Sequence, residues 1–108
     1  MKSALFSLLT TGLFIAGSVL GAEDELVLLK KNNCMSCHKM SGKLVGPGFV
    51  EIATKYKGDA GAIEKLKAKV YNGGFGVWGT MPMPPASHEI KKDDVNIMIK
   101  FILSQERK

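Results

Sequence analysis

Arginine is nearly missing from this chain: of its 15 basic residues only Arg107 is one, and the rest are lysines scattered along the sequence. Proteins that read nucleic acid concentrate arginine and interleave it with aromatics. Aromatics are scarce as well, at 7% with a single tryptophan, so a nucleic-acid partner is not expected. Cysteine is limited to Cys34 and Cys37. Two are too few for a disulfide framework, and a bridge between such near neighbours would remove little entropy from the unfolded chain. Alternating strand patterns are almost missing, which argues against a sheet. The one greasy stretch, residues 4–20, is broken by Ser7, Thr10, Thr11 and Gly12 and is short for a membrane span.

That stretch has another reading. Lys2 makes a basic start, the apolar middle follows, and Gly21-Ala22 precede the acidic Glu23-Asp24-Glu25. This is the pattern of a secretory signal peptide. Residues 1–22 are expected to be cleaved, although Leu20 makes the site imperfect; a retained anchor is the alternative, and mass spectrometry of the N-terminus separates the two. Residues 23–108 then form one small domain, without stable membrane insertion. Loss of Lys2 takes the formal net charge from +5 to +4. Scattered lysines suit solubility, and then steering toward an acidic partner. So short a domain, exported to an oxidising compartment, needs a staple beyond its own core.

Four helices can be read from the pattern. The first spans about Asp24 to Asn32, stopped by Asn33, which tolerates a left-handed backbone. The second spans about Gly48 to Tyr56, with Phe49, Ile52, Ala53 and Tyr56 on one face. The third spans about Ala60 to Tyr71, with Asp59 as N-cap and Gly73 as the stop. The fourth runs from Lys92 or Asp93 to Gln105 on a stripe of Val95, Met98, Ile99 and Ile102, with Met98 a core residue. Between the third and fourth lies "NGGFGVWGTMPMPPASHE", rich in glycine and proline and without helical period. A loop of this length in a small domain points to function. It is too apolar to stay in water unless it covers something.

Cys34-Met35-Ser36-Cys37-His38 reads C-x-x-C-H, the attachment signature of c-type haem. Each thiol adds across one haem vinyl group, and His38 beside Cys37 is placed to reach the iron. The competing readings fit less well. A redox dithiol expects a βαβ context. A zinc site from Cys34, Cys37, His38 and His88 lacks finger spacing. A plain disulfide explains neither His38 nor the apolar loop. The sixth iron ligand is sought among methionines, since a soft neutral sulfur favours ferrous iron. Met35 and Met40 stand too near His38 to cross to the other face. Met83, held between Pro82 and Pro84-Pro85, loses least entropy on being fixed; Met81 is then a packing or rim residue. His88, near the end of the loop, is the rival donor.

With these residues in hand, the chain resembles the short bacterial class I cytochromes c, the small periplasmic type that donates electrons to nitrite reductase or terminal oxidases. The resemblance runs from Glu23 through "CMSCH", "KLVGPGF" and "NGGFGVWGTMPMPP". It implies an all-α fold of four to five short helices wrapped around one covalent haem c, and a periplasmic single-electron carrier that is not an enzyme. Cys34 and Cys37 would carry the thioethers, with His38 and Met83 as axial iron ligands. The Pro47 carbonyl would accept a hydrogen bond from His38, and Trp78 would donate its indole N–H to a haem propionate. Lys69 stands where relatives tend to have an arginine paired with a propionate, and Ala86 replaces an asparagine that orients the methionine sulfur. About two extra residues lengthen the link near Ser87 to Lys91. A monomer is expected, with quinol–cytochrome c oxidoreductase as donor and nitrite reductase, a terminal oxidase or a peroxidase as acceptor; Lys30, Lys39 and Lys43 are the expected docking cations. A sensor haem protein with a labile Met83, or a haem subunit of a larger oxidoreductase, are the alternatives.

Overall fold

The computed structural model describes residues 22–106, so the expected signal peptide lies outside the described residues, as do Arg107 and Lys108. Four α-helices follow in order: α1 Ala22–Lys31, α2 Phe49–Lys55, α3 Ala62–Asn72 and α4 Lys92–Leu103, with a single 3₁₀ turn at Cys34–Ser36. No strand forms among the described residues; two isolated antiparallel bridges, Lys43 with Pro47 and Gly74 with Met83, are the only β-type pairing there. The expected all-α architecture is therefore observed.

α4 is the hub, since α1, α2 and α3 each pack against it. Its stripe explains this. Val95, Met98, Ile99 and Phe101 are all buried, and they meet Leu29 of α1 and Phe49 and Ile52 of α2. Met98 is 3% exposed, in the core role read from its periodicity. Asp93 and Asp94 lie in the first turn of α4 and Lys100 in its last, each sign where the helix dipole favours it.

Helix ends follow local chemistry. Asn33 takes φ 62° and ψ 17°, the one positive φ outside glycine among the described residues, and turns the chain out of α1 into the 3₁₀ turn. Gly73 closes α3 with its N–H on the Lys69 carbonyl at 2.8 Å. Asp59 differs from expectation. The residue before α3 is Gly61, not Asp59. The Asp59 carboxylate accepts instead from the Gly61 N–H at 2.8 Å and from Lys65 Nζ at 2.8 Å. It shapes the turn before the helix, because a short carboxylate satisfies an amide two residues on as readily as a helix N-terminus.

The connection from Gly73 to Lys91 carries no helix, but it is not structureless. A hydrogen-bonded pair joins Gly74 to Met83, the Gly76 N–H reaches the Gly79 carbonyl at 2.8 Å, and the Ala86 N–H reaches the Val70 carbonyl at 2.8 Å. The segment is a strap, tied at both ends to the C-terminal turn of α3 and closed by a turn at its tip.

Candidate functional site

The first half of the site grows from the 3₁₀ turn. The Cys37 and His38 amides donate to the Cys34 carbonyl at 3.3 and 3.0 Å, which curls the C-x-x-C-H segment. The chain then folds back beneath His38. The Val45 and Gly46 amides both donate to the Cys37 carbonyl, at 3.1 and 2.7 Å, and Phe49 N–H donates to the Lys39 carbonyl at 2.9 Å. This return brings the Pro47 carbonyl to 2.7 Å from His38 Nδ1. With the proton on Nδ1, that nitrogen donates to the carbonyl and Nε2 keeps its lone pair. The Phe49 ring lies 5.7 Å from the imidazole, centroid to centroid, inclined by 25°. Gly46 leaves room for the ring: a Cβ there would stand 2.7 Å from His38 Cε1 and 3.0 Å from Nδ1.

The second half is the strap. Met83 is half-buried, whereas Met81 is 62% exposed. Trp78 is 41% exposed, and Lys55 Nζ from the end of α2 sits 5.3 Å from its ring centroid, a cation–π contact.

Between the halves lies a cavity of about 380 Å³. Cys34, Cys37, His38, Pro47, Lys69, Trp78 and Met83 all line it, so the structure brings these seven expected haem-contact residues to one place. Its remaining wall is largely apolar, with Ile52 from α2, Leu66 from α3, and Ile99 and Ile102 from α4. Met81 reaches the rim as expected, and Lys43 lines the cavity as well. Met35 and Met40 pack against the core instead. His88 is exposed and does not line the cavity.

The donor set fits a c-type haem. Cys34 and Cys37 are unpaired thiols. Burial pushes the Cys34 thiol up, only partly opposed by a hydrogen bond from the backbone, so it waits as neutral S–H. One imidazole offers a lone pair, and a thioether faces the same apolar space. Zinc fits poorly: among the described residues no group of three or more His, Cys, Asp or Glu side chains could hold a metal ion. No described helix is long and apolar enough to cross a membrane.

Three features escaped the sequence: Gly46 against the His38 ring, Lys55 over Trp78, and the hydrogen bonding of Met83 to the end of α3. Only the glycines of "GPG" and "NGG" hinted at the first and last.

The cytochrome c family model matches residues 27–106. The chain is similar to cytochrome c-551 of Pseudomonas aeruginosa, 42% identical over 103 residues, covering 95% of this chain and 96% of that one. It is also similar to cytochrome c-552 of Nitrosomonas europaea, 37% identical over 105 residues, covering 96% and 98% of the two chains. The crystal structure of wild-type Nitrosomonas europaea cytochrome c552 superposes with a TM-score of 0.70 at 38% identity, over 75% of this chain and 99% of that one.

Proposed function

Because this chain belongs to the cytochrome c family and is an electron carrier with covalent haem c, we propose that Cys34 and Cys37 bear the thioethers and that His38 and Met83 are the axial iron ligands. The observation that carries this reading is the convergence of these four side chains on one apolar cavity, with His38 Nδ1 already engaged by Pro47.

The haem supplies a one-electron ferrous/ferric couple. The chain's residues hold and tune it. Cys34 and Cys37 would hold the haem by addition of each S–H across a vinyl group, the hydrogen passing to carbon with no oxidant required. The Pro47 carbonyl fixes the His38 tautomer and raises the basicity of Nε2. The Met83 sulfur and the apolar wall both favour ferrous iron and raise the potential. Lys69 is half-buried at the cavity and makes no ion pair with the described carboxylates, which suits a cation facing a propionate. Trp78, which also lines the cavity, serves as the indole N–H donor. Lysine lacks the planar fork of arginine, so it holds a propionate as a point charge.

The carrier works in the periplasm after removal of residues 1–22. Lys43 at the cavity and the exposed Lys30 and Lys39 suit brief contact with acidic redox proteins, taking electrons from a quinol–cytochrome c oxidoreductase and passing them to nitrite reductase, a terminal oxidase or a peroxidase.

The test is spectroscopic. Ferric protein with sulfur on iron shows a far-red charge-transfer band; the band is lost in Met83→Ala and kept in Met81→Ala. A band that survives Met83→Ala overturns the assignment.

A further inference from the structure

Resting on Met83 as the iron ligand, we propose that the Gly73-Gly74 pair at the end of α3 is the backbone seat that sets the position of the Met83 sulfur, so that Gly73 is a positioning residue for the electron-transfer site. Met83 is fastened here by its backbone. Its N–H donates to the Gly74 carbonyl at 2.8 Å, and its own carbonyl accepts from the Gly74 N–H at 2.9 Å. Gly74 is the residue after the cap of α3, so the last turn of a packed helix carries the ligand's main chain. The Ala86 N–H on the Val70 carbonyl, at 2.8 Å, ties the strap to the same turn a second time.

Two independent constraints make Gly73 irreplaceable in this seat. Its φ of 68° and ψ of −160° lie in a region that only glycine occupies without strain. A Cβ there would also run into the Met83 carbonyl oxygen, and would stand 2.8 Å from the Pro85 nitrogen and 3.0 Å from the Pro84 carbonyl carbon. All of these atoms are backbone, in a proline-stiffened stretch that cannot yield locally. The strap must therefore move outward as a piece, and Met83 moves with it. Gly79 separates the two effects. It has a φ of 111°, yet a Cβ there meets nothing within 4 Å. Alanine at Gly79 brings backbone strain without displacing Met83.

The experiment uses the haem-loaded ferric protein and imidazole as the probe. Imidazole binds only when Met83 is off the iron, so its apparent affinity rises with the open fraction. Gly73→Ala is expected to weaken the far-red band and tighten imidazole binding by about tenfold or more, with haem still covalently attached. Gly79→Ala is expected to leave both readouts at wild-type values. If Gly73→Ala matches Gly79→Ala in both while Met83→Ala abolishes the band, the seat is wrong and the ligand assignment stands. If the band survives Met83→Ala, the ligand assignment itself has failed. Should Gly73→Ala not load haem, hydrogen exchange of the wild-type protein decides. The Gly74 and Met83 amides should exchange as slowly as the Gly73 amide that caps α3; exchange of Met83 as fast as the Gly79 amide overturns the proposal.

Discussion

Gly46 carries no functional group, yet the His38 ring lies against it, and a single added carbon would fall 2.7 Å from Cε1. Gly46→Ala must push the imidazole away from the Pro47 carbonyl or shift the backbone. Overpacking of this kind costs about 1–3 kcal/mol, and guanidinium unfolding of the loaded protein should show a lowered midpoint of that size. Asn33 shows the opposite economy. Its left-handed backbone needs no space but disfavours a β-carbon without a polar arm, so Asn33→Ala should lose about 1 kcal/mol in the same measurement. The sequence marked Asn33 as a helix stop because its chemistry is local. It could not mark Gly46 as a neighbour of His38, because nothing in the order of residues says which ring will settle on which glycine.

At the scale of elements, the turn before α3 depends on a charge pair. The Lys65 ammonium beside Asp59, with the Gly61 amide second, holds the Asp59 carboxyl below the usual range. Asp59 in turn holds Lys65 above its usual value. The signs follow from linkage. The unfolded chain binds the Asp59 proton more tightly, so this part of stability is complete above the ordinary carboxylate pKa and is lost as pH falls through the folded value. The Lys65 part is present below the ordinary lysine pKa and is lost as pH rises through its raised value. Asp59→Asn should therefore flatten the acid limb of a stability–pH curve while keeping the turn. The effect should be small, since both groups are solvent-screened. The sequence placed this aspartate at a helix start but assigned it to the wrong position, because an Asx turn and an N-cap use the same residue types a few positions apart.

For the whole molecule, the core and the site share a wall. Ile99 is 1% exposed on the main stripe of α4 and also lines the cavity. Ile99→Ala should cost about 2–5 kcal/mol in unfolding and should loosen the packing around the haem. Removal of the cofactor follows the same logic. A domain this short, with a cavity of about 380 Å³ walled by its core, has little buried surface to spare without the cofactor. The Cys34→Ala/Cys37→Ala double variant should lose covalent haem and most of its circular-dichroism helicity. The lysine-rich surface gives one more expectation: electron transfer to an acidic partner should slow as salt rises and the screening length falls from about 10 Å at 0.1 M to about 3 Å at 1 M. Rates indifferent to salt would remove the case for electrostatic steering.

The sequence by itself made the four helices legible and pointed to a covalent haem c. Thiol spacing and helical stripes are properties of neighbours along the chain, and covalent geometry makes them readable in order. Only the tertiary structure decided that Met83 rides on the end of α3, that His38 rests on Gly46, and that Lys55 reaches Trp78. These contacts join positions 8 to 23 apart across loops that carry no helical period, so the packing of backbone against side chain selects them, not the chemistry of immediate neighbours.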